Sequence, residues 1–535
     1  MARKQKIIAT IDSETDPFLF GREPRPFCWG FYTDGDYQKF WGDDCTEQLI
    51  EYLTEYDDEE LVIYAHNGGK FDFFFLLEYL APNLKIINGR IAQANIGKHI
   101  ITDSILILPI AMKQMDKVDI EYWKMEREHR ETYKDEILDY LYYDCKFLHK
   151  WVMGFIDRFG RRLTLAGTAF NELKKTNYPI TYTNETYDNK LRPFYYGGRV
   201  QCFETGEFDF DGEGDYVDIN SAYPYAMLDK HWCGREFVEH FRLPEYGSYF
   251  AEIKAKSKGA LPFRSEDGKL YFPDDFKERT FKVTGWEIQA GLETNTLEIV
   301  EIIRVYRPME QHDFGEYVNR FYADKLKAEK DGDAEARLFA KLMLNSCYGK
   351  FGQDGRDFKD FQIVDFGDVP DGDEWNWHGD TETNHSIYEK PAPSDRFFNV
   401  ATAASITGHV RAYLWKAICA SETPLYCDTD SIICKKFHGK QGDQLGDWAM
   451  EANFKKAYIA QRKMYAMELT DGTFKSASKG VRLDPSAIIE GVRNGGVKET
   501  KRDAPAFNLK YGARFFTRNV NFENLEKNMI KNVDE

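Results

Sequence analysis

The sequence predicts a multidomain α/β protein. Three observations carry that expectation. The 535 residues are too many for one core. Strand-like apolar runs are interleaved with helical patterns, with no internal repeat and no heptad run. Acidic residues also stand at strand ends in two separate parts of the chain. Length alone suggests about three or four folding units.

Taken in order, Ile7 to Ile11, Leu61 to Ala65 and His99 to Leu108 read as strands among short helical patterns. Apolar residues Ile137, Leu141, Cys145, Leu148, Val152, Phe155 and Phe159 recur at helical spacing and predict a helix over 134–159, stopped by Gly160. Residues 185–225 read as extended and glycine-marked, and 261–312 as strands and turns. Residues 313–351 carry two helical patterns separated by Asp331-Gly332-Asp333. The stretch 353–393 is dense in Asp and Glu among glycines and prolines, and is expected to be an insertion or exposed hairpin. Leu425 to Cys427 and Ser431 to Cys434 read as two short strands with Asp428-Thr429-Asp430 at their turn. From Lys479 to Arg518 the balance turns basic, with nine Lys and Arg against four Asp and Glu, interleaved with Phe507, Tyr511, Phe515 and Phe516. That segment is a candidate for contact with a nucleic-acid backbone, and a solvated helical face is its alternative.

Composition narrows the classes. Lys and Arg number 71 against 89 Asp and Glu, a net charge of -18, which argues against indiscriminate polyanion binding and leaves room for a locally basic channel. Nine scattered cysteines with no C-x-x-C pair fit a reducing compartment, so a cytoplasmic location is expected, the host cytoplasm for a viral protein. Asp12 interrupts the first apolar run too early for a signal-peptide core, and no run reaches membrane-spanning length. With 40 Phe, 32 Tyr and 10 Trp the chain is rich in aromatics, most of them expected in the core.

The first acidic set begins with Asp12 and Glu14, which the period-2 geometry of a strand places on one face. Alone, such a pair is usually a turn. Asn67-Gly68-Gly69-Lys70-Phe71-Asp72 follows the Leu61 to Ala65 strand and supplies a third carboxylate. Asp144 supplies a fourth, between Leu141 and Leu148 on the apolar stripe of the 134–159 helix, where a lone charge is expensive and a cation or buried partner is expected. Tyr140, one turn earlier, lies over the same face and is placed to orient a water. Two metals held by Asp12, Glu14, Asp72 and Asp144 would suit phosphodiester hydrolysis.

The second set is Asp218, at the end of the strand-like Asp215 to Val217, with Asp428 and Asp430. Together they offer an oxygen cage for the two metals that nucleotidyl transfer requires. The helical stretch Asp333 to Gly349 places Arg337, Lys341, Asn345 and Tyr348 on one face, with the acids ending at Glu335. Cations without interspersed acids favour a polyanion such as a triphosphate, and an ordinary basic surface stripe is the alternative.

These segments resemble the protein-primed branch of the family B DNA polymerases, and the tectivirus-type enzymes look most similar. The likeness runs along nearly the whole chain in the family's order. Asp12-x-Glu14, Asn67 to Asp72 and Tyr140-x-x-x-Asp144 resemble the three 3′→5′ exonuclease motifs. Ser104-Ile105-Leu106-Ile107-Leu108 resembles the single-strand-binding motif, with Ile105 replacing the usual leucine. Tyr195-Tyr196-Gly197-Gly198 resembles the Y-x-G-G segment that links the exonuclease and polymerase domains. Asp218 to Pro224 is similar to motif A, with Ala222 where leucine is common, Lys341 to Gly349 to motif B, Tyr426 to Ser431 to motif C, and Lys463-Met464-Tyr465 to K-x-Y.

The resemblance implies a ribonuclease-H-like exonuclease domain over 1–185, palm over 186–262 and 396–480, and fingers over 313–351. It also implies insertions over 263–312 and 352–395 and a thumb over 481–535. It implies that Asp218 and Asp430 hold both polymerase metals, with the Ile219 carbonyl assisting and Asp428 completing the acidic site. Lys325, Arg337 and Lys341 would bind the triphosphate, Tyr223 would stack on the sugar and exclude ribose, and Tyr348 would pack at the nascent base pair. Ser221 and Asn345 go with the nucleotide site. Thr15, His66, Asn67, Phe71 and Ser104 would hold a frayed primer strand, and Lys463 would steady the primer end. Tyr195, Gly197, Gly198, Thr429 and Tyr465 are assigned to DNA. Mg²⁺, two ions per site with Mn²⁺ as the substitute, is the implied cofactor. Primer-template DNA, dNTPs, a terminal protein supplying the first hydroxyl and a single-strand DNA-binding protein are the implied partners, with no membrane and a monomeric chain.

The expected activity is DNA-directed, protein-primed DNA synthesis on a linear viral or plasmid genome, with 3′→5′ proofreading and strand displacement. A nuclease whose palm only grips DNA conflicts with the set Asp218, Asp428, Asp430 and Lys341. A non-catalytic single-strand-binding or scaffold protein has the net acidity in its favour and Asp144 against it. An RNA polymerase or reverse transcriptase is a weaker rival, because Tyr223 would meet a 2′-hydroxyl.

Overall fold

The computed structural model describes residues 6–17, 24–56, 59–115, 118–245, 247–381, 384–479, 483–502, 506–508, 512–514 and 517–522, with side chains as far as 496. The side chains of Phe507, Tyr511, Phe515 and Phe516, and with them most of the basic aromatic segment, lie outside the described residues. The chain divides into two compact units: 1–171 with 356–394 and 502–517, and 172–355 with 395–501 and 518–535. No helix among the described residues is long and apolar enough to cross a membrane. All nine cysteines are free thiols.

In the first unit, strand Ile7–Thr15 runs parallel to Leu61–Ala65 and antiparallel to Pro26–Thr33, and Leu61–Ala65 is parallel to His99–Asp103. Every residue of Leu61–Ala65 is buried, as befits a parallel strand covered on both faces. The strand expected over 99–108 ends at Asp103. The Asp103 carboxylate accepts from the Ile105 N–H at 3.1 Å and turns the chain into a short 3₁₀ segment, Ser104–Leu106.

Helix Lys134–Phe159 spans the length its apolar spacing predicts and buries Ile137, Leu141, Cys145, Leu148, Val152 and Phe155. Gly160 ends it at φ 75°, where a side chain is unfavourable, with its N–H donating to Ile156 O at 2.7 Å. Gly30 sets how near this helix comes to the sheet. A Cβ there would lie 2.9 Å from both Cys145 Sγ and Leu141 Cγ. Since Gly30 is the register partner of Asp12, the helix descends on the sheet where Asp144 can reach Asp12.

The acidic stretch, expected as an insertion or exposed hairpin, forms antiparallel strands that are partly buried. Lys359–Asp365, Asn376–Asp380 and His385–Pro391 form three antiparallel strands, and the first pairs with Asn83–Ile87, extending the sheet of the first unit. Phe361, Ile363 and Ile387 are buried in that unit's core with Leu84. Alternation carries this result: Phe361 and Ile363 share one face of their strand, from which Asp360 is turned away, and Asp368, Asp371 and Asp373 are exposed in the connection to the next strand.

The second unit is built on a seven-stranded antiparallel sheet. Gly206–Ile219 lies between Ser431–Lys436 and Trp448–Gln461, and Glu422–Asp428 follows Ser431–Lys436 outward, with Val200–Cys202 at the edge. A separate four-stranded sheet contains Phe250–Ser257, Glu278–Thr284 and Leu297–Pro308. Helix Val400–Ala420 is buried along most of its length. Helices Gly315–Asp331 and Ala334–Ser346 form a pair, and Asp333 caps the second by accepting from the Ala336 N–H at 2.9 Å. That helix stops at Ser346, short of the expected Gly349, and Tyr348 opens a 3₁₀ turn, Tyr348–Gly352.

Candidate active sites

The first site assembles from the strand Ile7–Thr15 and the long helix. Oxygens of Asp12, Glu14 and Asp144 all lie within 4.8 Å of one another. Asp144 is only 2% exposed. Three carboxylates converging at partial burial are hard donors suited to a divalent cation such as Mg²⁺. Tyr140 is buried beside them, and burial, reinforced by Glu14 and Asp144, pushes its phenol pKa up, so it stays a hydroxyl donor.

Asp72, expected as the fourth member, is 1% exposed and lies outside this trio of mutually close oxygens. It accepts from Ser13 Oγ at 2.6 Å, and Ser13, one residue from both Asp12 and Glu14, points to the opposite face of the strand. Burial pushes the Asp72 carboxyl up to about 7, and the Ser13 hydrogen bond opposes that shift. Ser13 was not singled out from sequence, although its position between two carboxylates was the available signal.

Around this site, His66 bonds through Nδ1 to Ser104 Oγ at 3.0 Å and through Nε2 to Ile110 O at 2.9 Å. Asn67 sits at φ 62°, and its Oδ1 accepts from Arg90 Nη1 at 3.2 Å; Arg90 also reaches the buried Asp103. Asp103 in turn accepts from the Gly69 N–H at 3.2 Å. Arg90 and Asp103, neither named from sequence, thus tie the Asn67 to Gly69 turn to the Ser104 turn. Phe71 packs edge-on to Phe75 at 5.3 Å, and Thr15 is buried with its hydroxyl donating to Asp16 O.

In the second unit Asp218 lies opposite Ser431 in register, and the Ile219 N–H donates to Asp430 O at 2.8 Å. Adjacent strands therefore bring Asp218 and Asp430 side by side. Burial, then Asp430 and Glu451, push the Asp218 carboxyl up to about 7. Burial, then Asp428, push Asp430 up to about 6. Neighbouring carboxylates whose charges raise proton affinity, as Asp430 does for Asp218 and Asp428 for Asp430, are relieved by a cation between them, so this donor set also fits a hard divalent ion. Asp428 is engaged otherwise: Lys463 Nζ lies 2.9 and 3.0 Å from its oxygens, and the Tyr426 hydroxyl donates to it at 3.1 Å. Tyr465, assigned to DNA from sequence, is buried against Tyr426 at 5.2 Å, behind the turn.

Tyr223 and Tyr348 stack, with ring centroids 4.1 Å apart and planes 10° from parallel. Ser221 precedes the short helix Ala222–Ala226 at φ 55°. Arg337, Lys341 and Asn345 lie exposed on one face of their helix, whereas Phe339, Met343 and Leu344 are buried. Burial and then Arg337 hold the Lys325 ammonium below its ordinary value, with Lys341 adding to the effect, so the three cations are neighbours. Arg337 is 3.6 Å from Glu329 on the preceding helix, an acid that the pattern of its own helix could not reveal.

Raised carboxyl pKa values set two pH effects. The folded protein binds more protons than the unfolded chain between the ordinary carboxylate range and about pH 7, so the metal-free protein loses stability as pH rises through that window. Asp218→Asn removes part of this cost. It should raise the Tm of the metal-free protein at pH 7.5 by about 2 °C, since solvent screening reduces the effect to roughly 1 kcal/mol. Protons also compete with the cation, so the Mg²⁺ concentration giving half-maximal activity of this site should rise on the order of tenfold between pH 8 and pH 6. A pH-independent Mg²⁺ requirement would contradict the paired-carboxylate geometry.

A family model for DNA polymerase type B, organellar and viral, matches residues 116–438. The chain is 41% identical over 548 aligned residues to a DNA-directed DNA polymerase of Enterobacteria phage PRD1, across 96% of this chain and 97% of that one. It is 24% identical to a probable DNA polymerase of Agaricus bitorquis, across 82% of this chain and 69% of that one. Among solved structures, Phi29 DNA polymerase in an orthorhombic crystal form matches with a TM-score of 0.73 at 17% identity, across 98% of this chain and 100% of that one. Phi29 DNA polymerase complexed with primer-template DNA and incoming nucleotides matches with a TM-score of 0.71 at 17% identity and the same coverage. At such identity the structural likeness carries the fold, and it agrees with the multidomain α/β architecture expected from sequence.

Proposed function

We propose, for a chain that belongs to the type B DNA polymerases, organellar and viral, that its DNA-directed DNA synthesis starts from a terminal protein's hydroxyl and is proofread at a separate 3′→5′ exonuclease site. The observation that carries this reading is the pair of carboxylate sets in two different compact units: Asp12, Glu14 and Asp144 in one, Asp218 and Asp430 in the other. Divalent cations bound there, Mg²⁺ or Mn²⁺ and two per site, would supply Lewis acidity and lower the pKa of an attacking oxygen.

The chain's own residues then divide the work. Asp218 and Asp430 would hold the polymerase cations with help from the Ile219 carbonyl, and Lys463 holds the Asp428 carboxylate by two contacts of 2.9 and 3.0 Å. Lys325, Arg337 and Lys341 receive the triphosphate as a cluster of like charges that a polyanion relieves. Tyr223, held by its stack on Tyr348, closes the pocket where a sugar 2′-hydroxyl would lie. Tyr223→Ala should therefore ease ribonucleotide incorporation by about 10- to 100-fold relative to dNTPs, measured by single-nucleotide extension. At the other site Asp12, Glu14, Asp72 and Asp144 would hold the cations, with Asp72 accepting from Ser13 between the first two, and Tyr140 would orient the attacking water. His66, Asn67, Phe71 and Ser104 form the cradle for a frayed 3′ end.

The domain boundaries given by the family likeness go with this proposal, as do primer-template DNA, dNTPs, terminal protein and a single-strand DNA-binding protein as partners. The test is a recessed primer-template incubated with protein and Mg²⁺, with and without dNTPs. Extension with dNTPs and shortening without them supports both sites, and shortening in both lanes favours a nuclease whose palm only grips DNA. Adding a candidate terminal protein and following nucleotide attachment to it tests the priming step.

A further inference from the structure

Among the buried residues of helix Val400–Ala420, otherwise apolar, small or hydroxylated, one carries a permanent charge: Arg411, 2% exposed. Its Nε donates to Glu287 Oε1 at 2.7 Å. Glu287 is itself 1% exposed, and its other oxygen accepts from the N–H and hydroxyl of Thr284, both at 2.9 Å. Nη1 of Arg411 donates to the carbonyls of Tyr196 and Gly197, each at 2.8 Å. The guanidinium therefore bridges a buried carboxylate and the backbone of the Tyr195 to Gly198 loop. Burying an ion pair is costly, and an apolar pair of similar volume would stabilise the fold as well or better, so this one is explained by what it orients.

The loop leads directly to the catalytic turn. Thr429, between Asp428 and Asp430, sits at φ 63°, a left-handed conformation unfavourable for a β-branched residue, which persists where its surroundings over-determine it. The Thr429 N–H donates to the Arg199 carbonyl at 2.6 Å. Gly198 leaves room for the Thr429 side chain, since a Cβ there would lie 2.8 Å from Thr429 Oγ1. Arg199 is fixed in turn, 1% exposed between the rings of Phe272 and Trp415 at 4.1 and 4.2 Å, with Nη1 donating to Gly259 O at 2.8 Å.

We propose that Arg411 is a positioning residue for the polymerase carboxylates: by fastening the Tyr196 and Gly197 carbonyls it holds the loop that locks the Asp428-Thr429-Asp430 turn in its strained shape. The inference rests on Asp218 and Asp430 being the polymerase cation ligands. Partners that hold ligands in place commonly set metal affinity by about 10- to 100-fold.

Arg411→Lys keeps a charge for Glu287 but cannot also span both carbonyls. In the metal-free variant, backbone hydrogen exchange should accelerate about tenfold in segments 195–199 and 425–431 while the rest of the chain keeps its wild-type rates. The Mg²⁺ concentration for half-maximal primer extension should rise about tenfold, with the deficit recovered at high Mg²⁺. A folded Arg411→Lys protein with wild-type exchange over 425–431 and a wild-type Mg²⁺ curve would overturn the proposal. If that variant melts as a whole, Gly198→Ala decides: it presses on Thr429 with the Arg411–Glu287 pair intact, and unchanged exchange and Mg²⁺ demand there would equally overturn it. Asp430→Asn separates the two levels, because extension surviving that change would refute the underlying site assignment, whereas its loss beside a wild-type Arg411→Lys refutes only the positioning role.

Discussion

Asp430→Asn lowers primer extension by at least about 10³-fold and leaves 3′→5′ shortening of the same primer near wild type. The substitution is nearly isosteric, so the turn and the Ile219 N–H bond to the Asp430 carbonyl are retained. What it removes is one of two neighbouring carboxylates, the one whose charge raises the proton affinity of Asp218. An amide binds a divalent cation far more weakly than a carboxylate, and Asp218 alone cannot replace the lost charge. The shortening activity survives because Asp12, Glu14 and Asp144 belong to a different compact unit. The measurement is the rate of both reactions on one labelled primer-template. Loss of both activities in a folded variant would show that a single site serves them.

Asp12→Asn produces the converse result: shortening falls at least about 10³-fold, extension is kept, and mismatched primer ends persist. Asp12 stands where three carboxylates meet and faces the helix that Gly30 allows to descend. Asp144→Asn should behave in the same way. Because Asp144 is 2% exposed, its neutral amide should also leave the metal-free protein at least as stable as wild type. If Asp12→Asn and Asp144→Asn leave shortening intact, the convergence of these oxygens has no catalytic meaning.

Much of this was legible in the chain, for identifiable reasons. The 134–159 helix could be read because its apolar residues recur at 3.6-residue spacing, and Asp144 stood out as a charge on that stripe. The Asp428 to Asp430 turn could be read because apolar runs flank it on both sides. Asp72 was grouped with Asp12 and Glu14 because all three end strands. Strand ends, however, do not say which partner a side chain takes, and Asp72 accepts from Ser13, which the sequence did not single out. The acidic stretch was expected as an insertion or exposed hairpin; its charge density hid the apolar residues Phe361, Ile363 and Ile387, which are buried. Arg411 left one faint sign, a lone cation among small residues, but nothing local announces Glu287 or the Tyr196 carbonyl as its partners.

The sequence by itself determined the family and the α/β class and marked the candidate carboxylates, because motifs are local and the chemistry of metal-assisted phosphoryl transfer restricts which residues can serve. Only the tertiary structure decided which carboxylates share a site, how near the helix comes to the sheet, and what holds the catalytic turn. Those outcomes depend on strand register, on which face a side chain takes, and on volumes such as the missing Cβ of Gly30, where residues distant in sequence meet.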